Sequence, residues 1–401
     1  MKKQSQIGNR KSQILIVGAG PAGTSLAIRL AQKDFEVVLI ERETFPRHKL
    51  CGEFISPECL MHFADLGVLD KILSAGGERI TETRFYEPGG HSLVVPSKWF
   101  GGHGYALSLS RAEMDLHLLD RARSVGVKIL EDTSVTEILS GKNGIYGIKA
   151  RVGHEKTIDI SAELFVDATG RSRVLSKLSG KHGSSQKSRV TGPKPLYVGF
   201  KTHLKYANLE KERCEIYSFR GGYGGLSPIE GGVANLCFLI RASIAREFNG
   251  NADKIIEDVI FKNNRARASL KYAEPVRDWL AVSIDSFGAR DLNPALNLFS
   301  VGDSAAFIDP FTGSGMLMAL ESAELLAESI ASPHLSKEMI SETYRLKHKQ
   351  KFERRLRVCS LLRHMAFVPN LARFTIFALG LSESSREILA HLTRPRFPID
   401  E

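Results

Sequence analysis

The stretch Ser12-Gln13-Ile14-Leu15-Ile16-Val17-Gly18-Ala19-Gly20-Pro21-Ala22-Gly23 decides the fold. Ile14 to Val17 are all apolar, with no polar alternation, the pattern of a parallel strand covered on both faces. The glycines follow at once in G-x-G-x-x-G spacing. Gly18 lets the chain turn sharply out of the strand. Gly20 has no side chain where backbone must approach a pyrophosphate, and Gly23 lets a helix pack close to the sheet. Pro21 and Ala22 open that helix, expected over about Ala22 to Gln32 with Leu26, Ala27 and Leu30 facing inward. Its N-terminus offers free N–H groups and positive dipole to phosphate. A second strand, Glu36 to Ile40, ends in Glu41, 18 residues beyond Gly23, where a carboxylate can accept hydrogen bonds from a ribose. Strand, helix, strand and terminal acid together predict an α/β fold with a Rossmann-type dinucleotide-binding domain. This unit alone does not separate NAD from FAD.

Outward from it, the chain has 401 residues, 43% of them apolar, enough for two domains. Its five cysteines form no C-x-x-C pair, which predicts reduced thiols and a cytoplasmic protein. Met1 to Lys11 is short, polar and basic, and the apolar run after it ends at once in glycines, so a signal peptide is not expected. No stretch approaches the ~18 apolar residues that span a bilayer. The longest candidate, Phe374 to Leu381, follows Arg373. The formal net charge is +10, with Lys and Arg spread along the chain and one denser cluster from Arg345 to Arg363. No helix-turn-helix, zinc-finger or RNP pattern accompanies them, so nucleic acid is not an expected partner. No metal-ligand cluster and no Ser/His/Asp triad stands out.

Two distant segments narrow the choice of dinucleotide. Leu164-Phe165-Val166-Asp167 is an apolar strand ending in acid, followed by Ala168-Thr169-Gly170. Leu298 to Val301 is another strand, followed by Gly302-Asp303, then Asp309-Pro310-Phe311-Thr312-Gly313-Ser314-Gly315 and a helix from Met316 to about Ser329. These motifs in this order resemble the p-hydroxybenzoate hydroxylase-type superfamily, which holds FAD monooxygenases, flavin-dependent halogenases and geranylgeranyl reductases. The resemblance covers most of residues 12 to 330. It implies FAD as cofactor. It also implies that Gly18, Gly20, Gly23 and Glu41 serve the nucleotide end, that Arg111 reaches the FAD phosphates, and that Asp167 to Gly170 line the site. Asp303 would contact the ribityl chain. Pro310 and Gly313 to Met316 would open a helix toward the flavin N1–C2=O edge, where positive potential stabilises anionic reduced flavin.

The same resemblance makes the FAD-binding domain discontinuous, at 1–75, 105–185 and 285–335. A β-rich substrate domain is expected from 76–104 and 186–284, with strands at Ile80 to Tyr86, Ser92 to Val95, Tyr197 to His203, Glu215 to Phe219, Tyr223 to Leu226 and Val233 to Ile240. Lys181 to Lys194, rich in Gly, Ser and polar residues, reads as a loop. Residues 336–401 read as a basic helical region. Phe367, Leu371, Phe374, Phe377 and Leu381 make an apolar stripe there, interrupted by Pro369. The stripe is either a cap on the core, or a lid for a greasy substrate or a membrane-surface contact.

The candidate chemistry lies in Arg42 to Pro57. Lys49, Cys51 and Gly52 match the K-x-C-G element of geranylgeranyl reductases. Gly52, Glu53 and Pro57 match part of the halogenase G-E-S-x-x-P element. Cys51 either tunes the flavin or acts as an acid, or is an inert thiol. Arg42, Arg47 and Lys49 are candidate phosphate contacts, or belong to an exposed basic loop. Tyr223 either hydrogen-bonds substrate or packs on the sheet. No second G-x-G-x-x-G appears, so NAD(P)H is expected only as a transient reductant. The leading expectation is an NAD(P)H-dependent monooxygenase acting on an aromatic or polyketide-like small molecule. The alternative is a double-bond reductase on a prenyl or lipid substrate. A non-catalytic FAD-binding protein is the third reading.

Overall fold

In a computed structural model, which describes residues 12–142, 144–154, 156–181, 195–333 and 336–394, the strand Ser12–Val17 lies inside a seven-stranded sheet. Val37–Ile40 and the C-terminal half of Lys156–Asp167 run parallel on either side of it. Lys128–Leu130 and Leu298–Ser300 extend the parallel set outward. The Gly-rich turn, Glu41, the Asp167 turn and Gly302 therefore emerge at one carboxyl edge, where open α/β sheets bind ligands. Both faces are covered. Ile14 and Ile16 join the core formed with helices Pro21–Ala31, Arg111–Ser124 and Gly315–Ala331. Leu15 and Val17 join a second core under the hairpin Thr133–Gly141 and Gly144–Val152. That two-sided burial is why the strand carries no alternation.

The second sheet has eight strands, drawn from Glu82–Tyr86, Ser92–Pro96, Tyr197–Lys205, Arg213–Phe219, Gly222–Pro228, Ala234–Arg241, Glu274–Pro275 and Leu280–Ile284. The expected strand Ile80 to Tyr86 is in fact two. Glu78–Ile80 pairs with Ala106–Ser108 in a small three-stranded sheet that includes Phe54–Ile55, and Glu82–Tyr86 pairs in the large one. The break falls at Thr81, whose N–H donates to the Glu212 carbonyl and whose carbonyl accepts from Ser97. Alternation assigns the large sheet's faces. Phe200, Leu226, Leu236 and Phe238 pack in a core with residues of helices Ala242–Glu247, Ala252–Asp258 and Asn264–Leu270. Lys201, His203, Tyr223, Ser227 and Asn235 bond instead to residues of the first domain.

Lys337–Ala366 is one 30-residue helix. Pro369 interrupts the apolar stripe, as expected, because the long helix ends before it. It starts a new one, Pro369–Gly380, at a position where a missing N–H has no partner to lose. Glu383–Leu392 follows. All five cysteines are free. No described helix is long and apolar enough to cross a membrane. The segments Met1 to Lys11 and 182–194 lie outside the described residues; Lys181 ends the helix Val174–Lys181.

Candidate functional site: a dinucleotide cradle joined to an apolar cavity

The three glycines of the first motif do three different jobs. Gly18 has φ +106°, and a Cβ there would stand 2.4 Å from the Ala168 carbonyl oxygen. A Cβ on Gly23 would stand 1.9 Å from the Gly18 oxygen, so the helix can approach the turn only as glycine. Gly20 faces space: the nearest atom to an added Cβ is Arg111 Nη2 at 3.9 Å. Gly302, at φ +60°, closes the opposite wall, where a Cβ would meet that of Ala22 at 2.8 Å.

Asp115, which sequence reasoning did not single out, gathers two arginines at this turn. Its carboxylate accepts from Arg111 Nε at 2.9 Å and Nη2 at 2.7 Å, and from Arg47 Nη1 at 2.8 Å. Arg47 also donates to the Ala19 carbonyl at 3.3 Å and lies 3.6 Å from Glu41. It is thus a buried member of the cradle, not part of an exposed basic loop. Burial alone would lower Arg111, but Asp115 and Cys51 beside it raise it, so its charge is held firmly. The i, i+4 spacing of Arg111 and Asp115 on a helix was the available signal.

Glu41 braces the turn. Its carboxylate accepts from Ala19 N at 2.9 Å and Arg42 N at 3.0 Å. Two expectations need correction here. The Arg42 guanidinium lies at the surface on Glu43, 3.1 Å away, and Lys49 bonds the same carboxylate at 3.0 Å. Arg42 therefore serves Glu41 through its backbone, and both cations are neutralised by a surface acid. Asp167 accepts five hydrogen bonds, from Thr169 N and Oγ1, Ser176 N and Oγ, and Ser304 Oγ. With its lone pairs used, it shapes the turn before Gly170 and offers nothing to a ligand.

At the far end, no described side chain or backbone group hydrogen-bonds Asp303. Arg171 and Arg111 are near enough for their charges to oppose the effect, yet burial pushes Asp303 up to about 6. Arg171 Nη1 is itself buried and unpartnered. A bare carboxylate beside an orphaned donor is the state that a polar chain lying between them would satisfy. Gly313, at φ +63°, turns the chain into the helix Gly315–Ala331, capped at Ser314. The C-terminal Arg394 holds this turn, donating to Ser314 Oγ at 2.8 Å and to the Thr312 carbonyl at 3.0 Å. Met316 packs against the domain core.

The Cys51 loop is fastened to the second sheet by Glu53. Glu53 adopts the left-handed conformation, φ +55°, with its carboxylate fully buried. It accepts from Lys201 Nζ and from Arg111 N at 2.8 Å, and pairs with His203 Nε2 at 2.8 Å. Burial opposes the charge, but His203 and Lys201 outweigh it and hold the carboxyl below its usual range. Lys201 Nζ also reaches the Lys49 carbonyl at 3.0 Å, and Asn235 donates to the Cys51 carbonyl at 3.1 Å. Cys51 Sγ accepts from Glu53 N at 3.4 Å, and nothing stands within 4 Å of a Cβ on Gly52. Lys201 and His203 were missed in sequence; their signal is two basic residues, two apart, within a buried strand. His48, Glu53 and His203 are grouped closely enough to ligate a metal, but Lys201 already supplies the cation that Glu53 requires.

Tyr223 already has its hydroxyl proton engaged within the protein. It donates to Asp309 Oδ1 at 2.6 Å, and its ring packs on Phe311 and Phe367. Beside it opens an apolar cavity of about 130 Å³. Phe85 and Ile216 form its sheet wall, Phe311 and Thr312 its flank, and Leu362, Met365, Ile376 and Leu379 of the C-terminal helices its roof.

Comparison with known proteins names the cofactor. Residues 11–354 match the family described as FAD binding domain. The chain belongs to this family. It is 28% identical to the digeranylgeranylglycerophospholipid reductase of Methanosarcina mazei, over 84% of this chain and 80% of that one. It is 26% identical to the menaquinone reductase of Mycolicibacterium smegmatis, over 81% and 77%. Among solved structures, the flavin-dependent brominase Bmp2 superposes with a TM-score of 0.79 at 18% identity, covering 96% of this chain and 94% of that one. The protein is an FAD-dependent oxidoreductase, and its residues fit the cofactor. Gly20 and the start of the helix Pro21–Ala31, with Arg47 and Arg111, suit the pyrophosphate. Glu41 suits the ribose. Asp303 and Arg171 suit the ribityl chain, and Gly313 to Met316 with the Cys51–Gly52 loop suit the flavin ring.

Proposed function

We propose that this flavoprotein is an NAD(P)H-dependent monooxygenase that hydroxylates an apolar, aromatic small molecule. The observation that carries the reading is the cavity beside Phe311 and Thr312. At about 130 Å³ it has room for one aromatic ring; apolar cavities of roughly 150 Å³ take up benzene. Bound FAD supplies electron transfer from NAD(P)H and activation of O₂. The chain's own residues bind and exclude. Phe85, Ile216 and Phe311 hold an apolar ring, and the roof helices keep out water. Glu53, Lys201 and Asn235 hold the Cys51 loop in place.

A second reading, reduction of a substrate double bond, is favoured by Cys51 beside Arg111 and by the names of the two reductases above. One experiment separates them. FAD-loaded protein is mixed with NADPH and a panel of small phenols and quinones, with and without O₂. Substrate-stimulated NADPH oxidation that stops without O₂, with oxygen incorporated in the product, supports the monooxygenase. Turnover that proceeds equally without O₂ overturns it in favour of the reductase.

A further inference from the structure

The helix Pro369–Gly380 is apolar on two opposite faces. Thr375, Ile376 and Leu379 line the cavity. On the other side Phe374 and Phe377 are each 67% exposed and Leu381 75%, with Leu371 and Val368 exposed beside them. Leu361, on the preceding helix, is also exposed. An ordinary surface helix has one apolar face and buries it; exposing a second has a cost in water and calls for something that covers it.

Charge decides between candidates. Arg373 lies one turn from Phe377, and Arg357 one turn before Leu361; both are exposed. Between Arg345 and Arg363 there are eight Lys or Arg against one acid, Glu353. Several are neutralised, Arg357 by Glu353, Lys347 by Glu328, and Lys351 and Arg355 by Glu321. Arg345 and Lys349 face Ala289 to Leu292 instead, whereas Arg354, and Arg373 on the stripe's own helix, are exposed and have no acidic partner among the described residues. Glu383 and Glu387 on the last helix are the nearest acids in sequence to the stripe. A second copy of a chain with net charge +10 would bring like charge to like. A surface with apolar depth and negative headgroups matches both the phenyl rings and the cations.

We propose that the outer face of this helix docks on anionic lipid bilayers, lying in the interface without spanning it. Docked there, the cavity sits one helix diameter, roughly 10 Å, from the membrane. Docking requires no turnover, so its test is independent of the proposed chemistry. FAD-loaded full-length protein is sedimented with vesicles of phosphatidylcholine alone and of equal parts phosphatidylcholine and phosphatidylglycerol. Wild type is expected to pellet with the anionic vesicles and to be released by salt. Phe374→Ser/Phe377→Ser should weaken this on the order of a hundredfold. Arg373→Glu should weaken it by less, and only on the anionic vesicles. Retained flavin absorbance and an unchanged melting temperature show that the variants are folded. Wild type that stays in the supernatant, or a double variant that pellets like wild type, overturns the proposal. So does a wild-type dimer, seen by light scattering, that the double substitution abolishes while vesicle binding is absent.

Discussion

At Gly20 and Gly23 one residue type answers two constraints. Gly23 is required by the protein, because a methyl group would collide with backbone; Gly20 faces open space. Gly23→Ala is therefore expected to cost about 3 kcal/mol or more by overpacking, read from urea unfolding of the flavin-free protein. Gly20→Ala should leave that unfolding curve unchanged and weaken FAD binding about tenfold or more, read by flavin fluorescence on titration. Both variants share a motif, and only the structure separates their effects. Asp303 gives a residue-scale pH dependence. Its folded pKa of about 6 is raised above its ordinary 3.8, so the folded flavin-free protein holds this proton more tightly than the unfolded chain does. The stabilisation is complete below the ordinary value and is lost as pH rises toward about 6. Because Asp303 is only partly shielded from solvent, the loss is expected to be roughly 1–3 kcal/mol. Unfolding of the flavin-free protein at about pH 4 and about pH 6.5, compared with Asp303→Asn, isolates it: the difference between the two proteins should change with pH in that direction. Asp303 was legible in the G-D motif. Its bare carboxylate and the orphaned Arg171 were not, because both depend on what surrounds them.

Among elements, the C-terminal helices do more than cap. Three arginines tie this region to the turn Asp309 to Ser314 and the helix after it. Arg355 bonds Glu321, Arg363 stands 4.0 Å from Asp309, and Arg394 holds Thr312 and Ser314 and lies 3.4 Å from Glu58. Glu58 has no hydrogen-bond partner among the described residues, and Arg394 is the cation that keeps its buried carboxylate tolerable. Arg394→Ala is expected to cost about 3–5 kcal/mol, the penalty for stranding one half of a buried ion pair. Arg394→Lys should restore much of that stability but not the planar fork that grips both Thr312 and Ser314. Its FAD should still dissociate faster than in wild type. Unfolding midpoints and flavin release after dilution check the two halves separately. The helices themselves were readable from the basic, apolar pattern after Ser336. Their grip on the turn at Thr312 and Ser314 was not, because an arginine's partner some 80 residues away leaves no periodic trace. The break at Pro369 was legible too, but not that it opens a new helix: a proline ends one helix and starts another equally well, and only the chain path decides which.

For the whole molecule, the two domains and the C-terminal helices meet around one apolar cavity, and its occupancy can be tested without knowing the substrate. Toluene is expected to raise the melting temperature of the wild type by mass action and to leave Ile376→Trp, whose indole fills the space, without a shift. The nucleotide domain was largely written in the chain itself. Its strands are continuous apolar runs because both faces are buried, its glycines sit where backbone must pass close to backbone or phosphate, and such constraints act within a few residues. The FAD assignment was legible too, since three motifs kept their order along the chain. The second site was decided by tertiary structure. Glu53 was only part of a halogenase-like motif until folding placed Lys201 and His203 around its carboxylate, and Tyr223 had two readings until Asp309 took its hydroxyl. A buried charge is stable only beside its counter-charge, and a cavity exists only between elements. Neither is a property of any one stretch of sequence, so both waited on the way the sheets and helices come together.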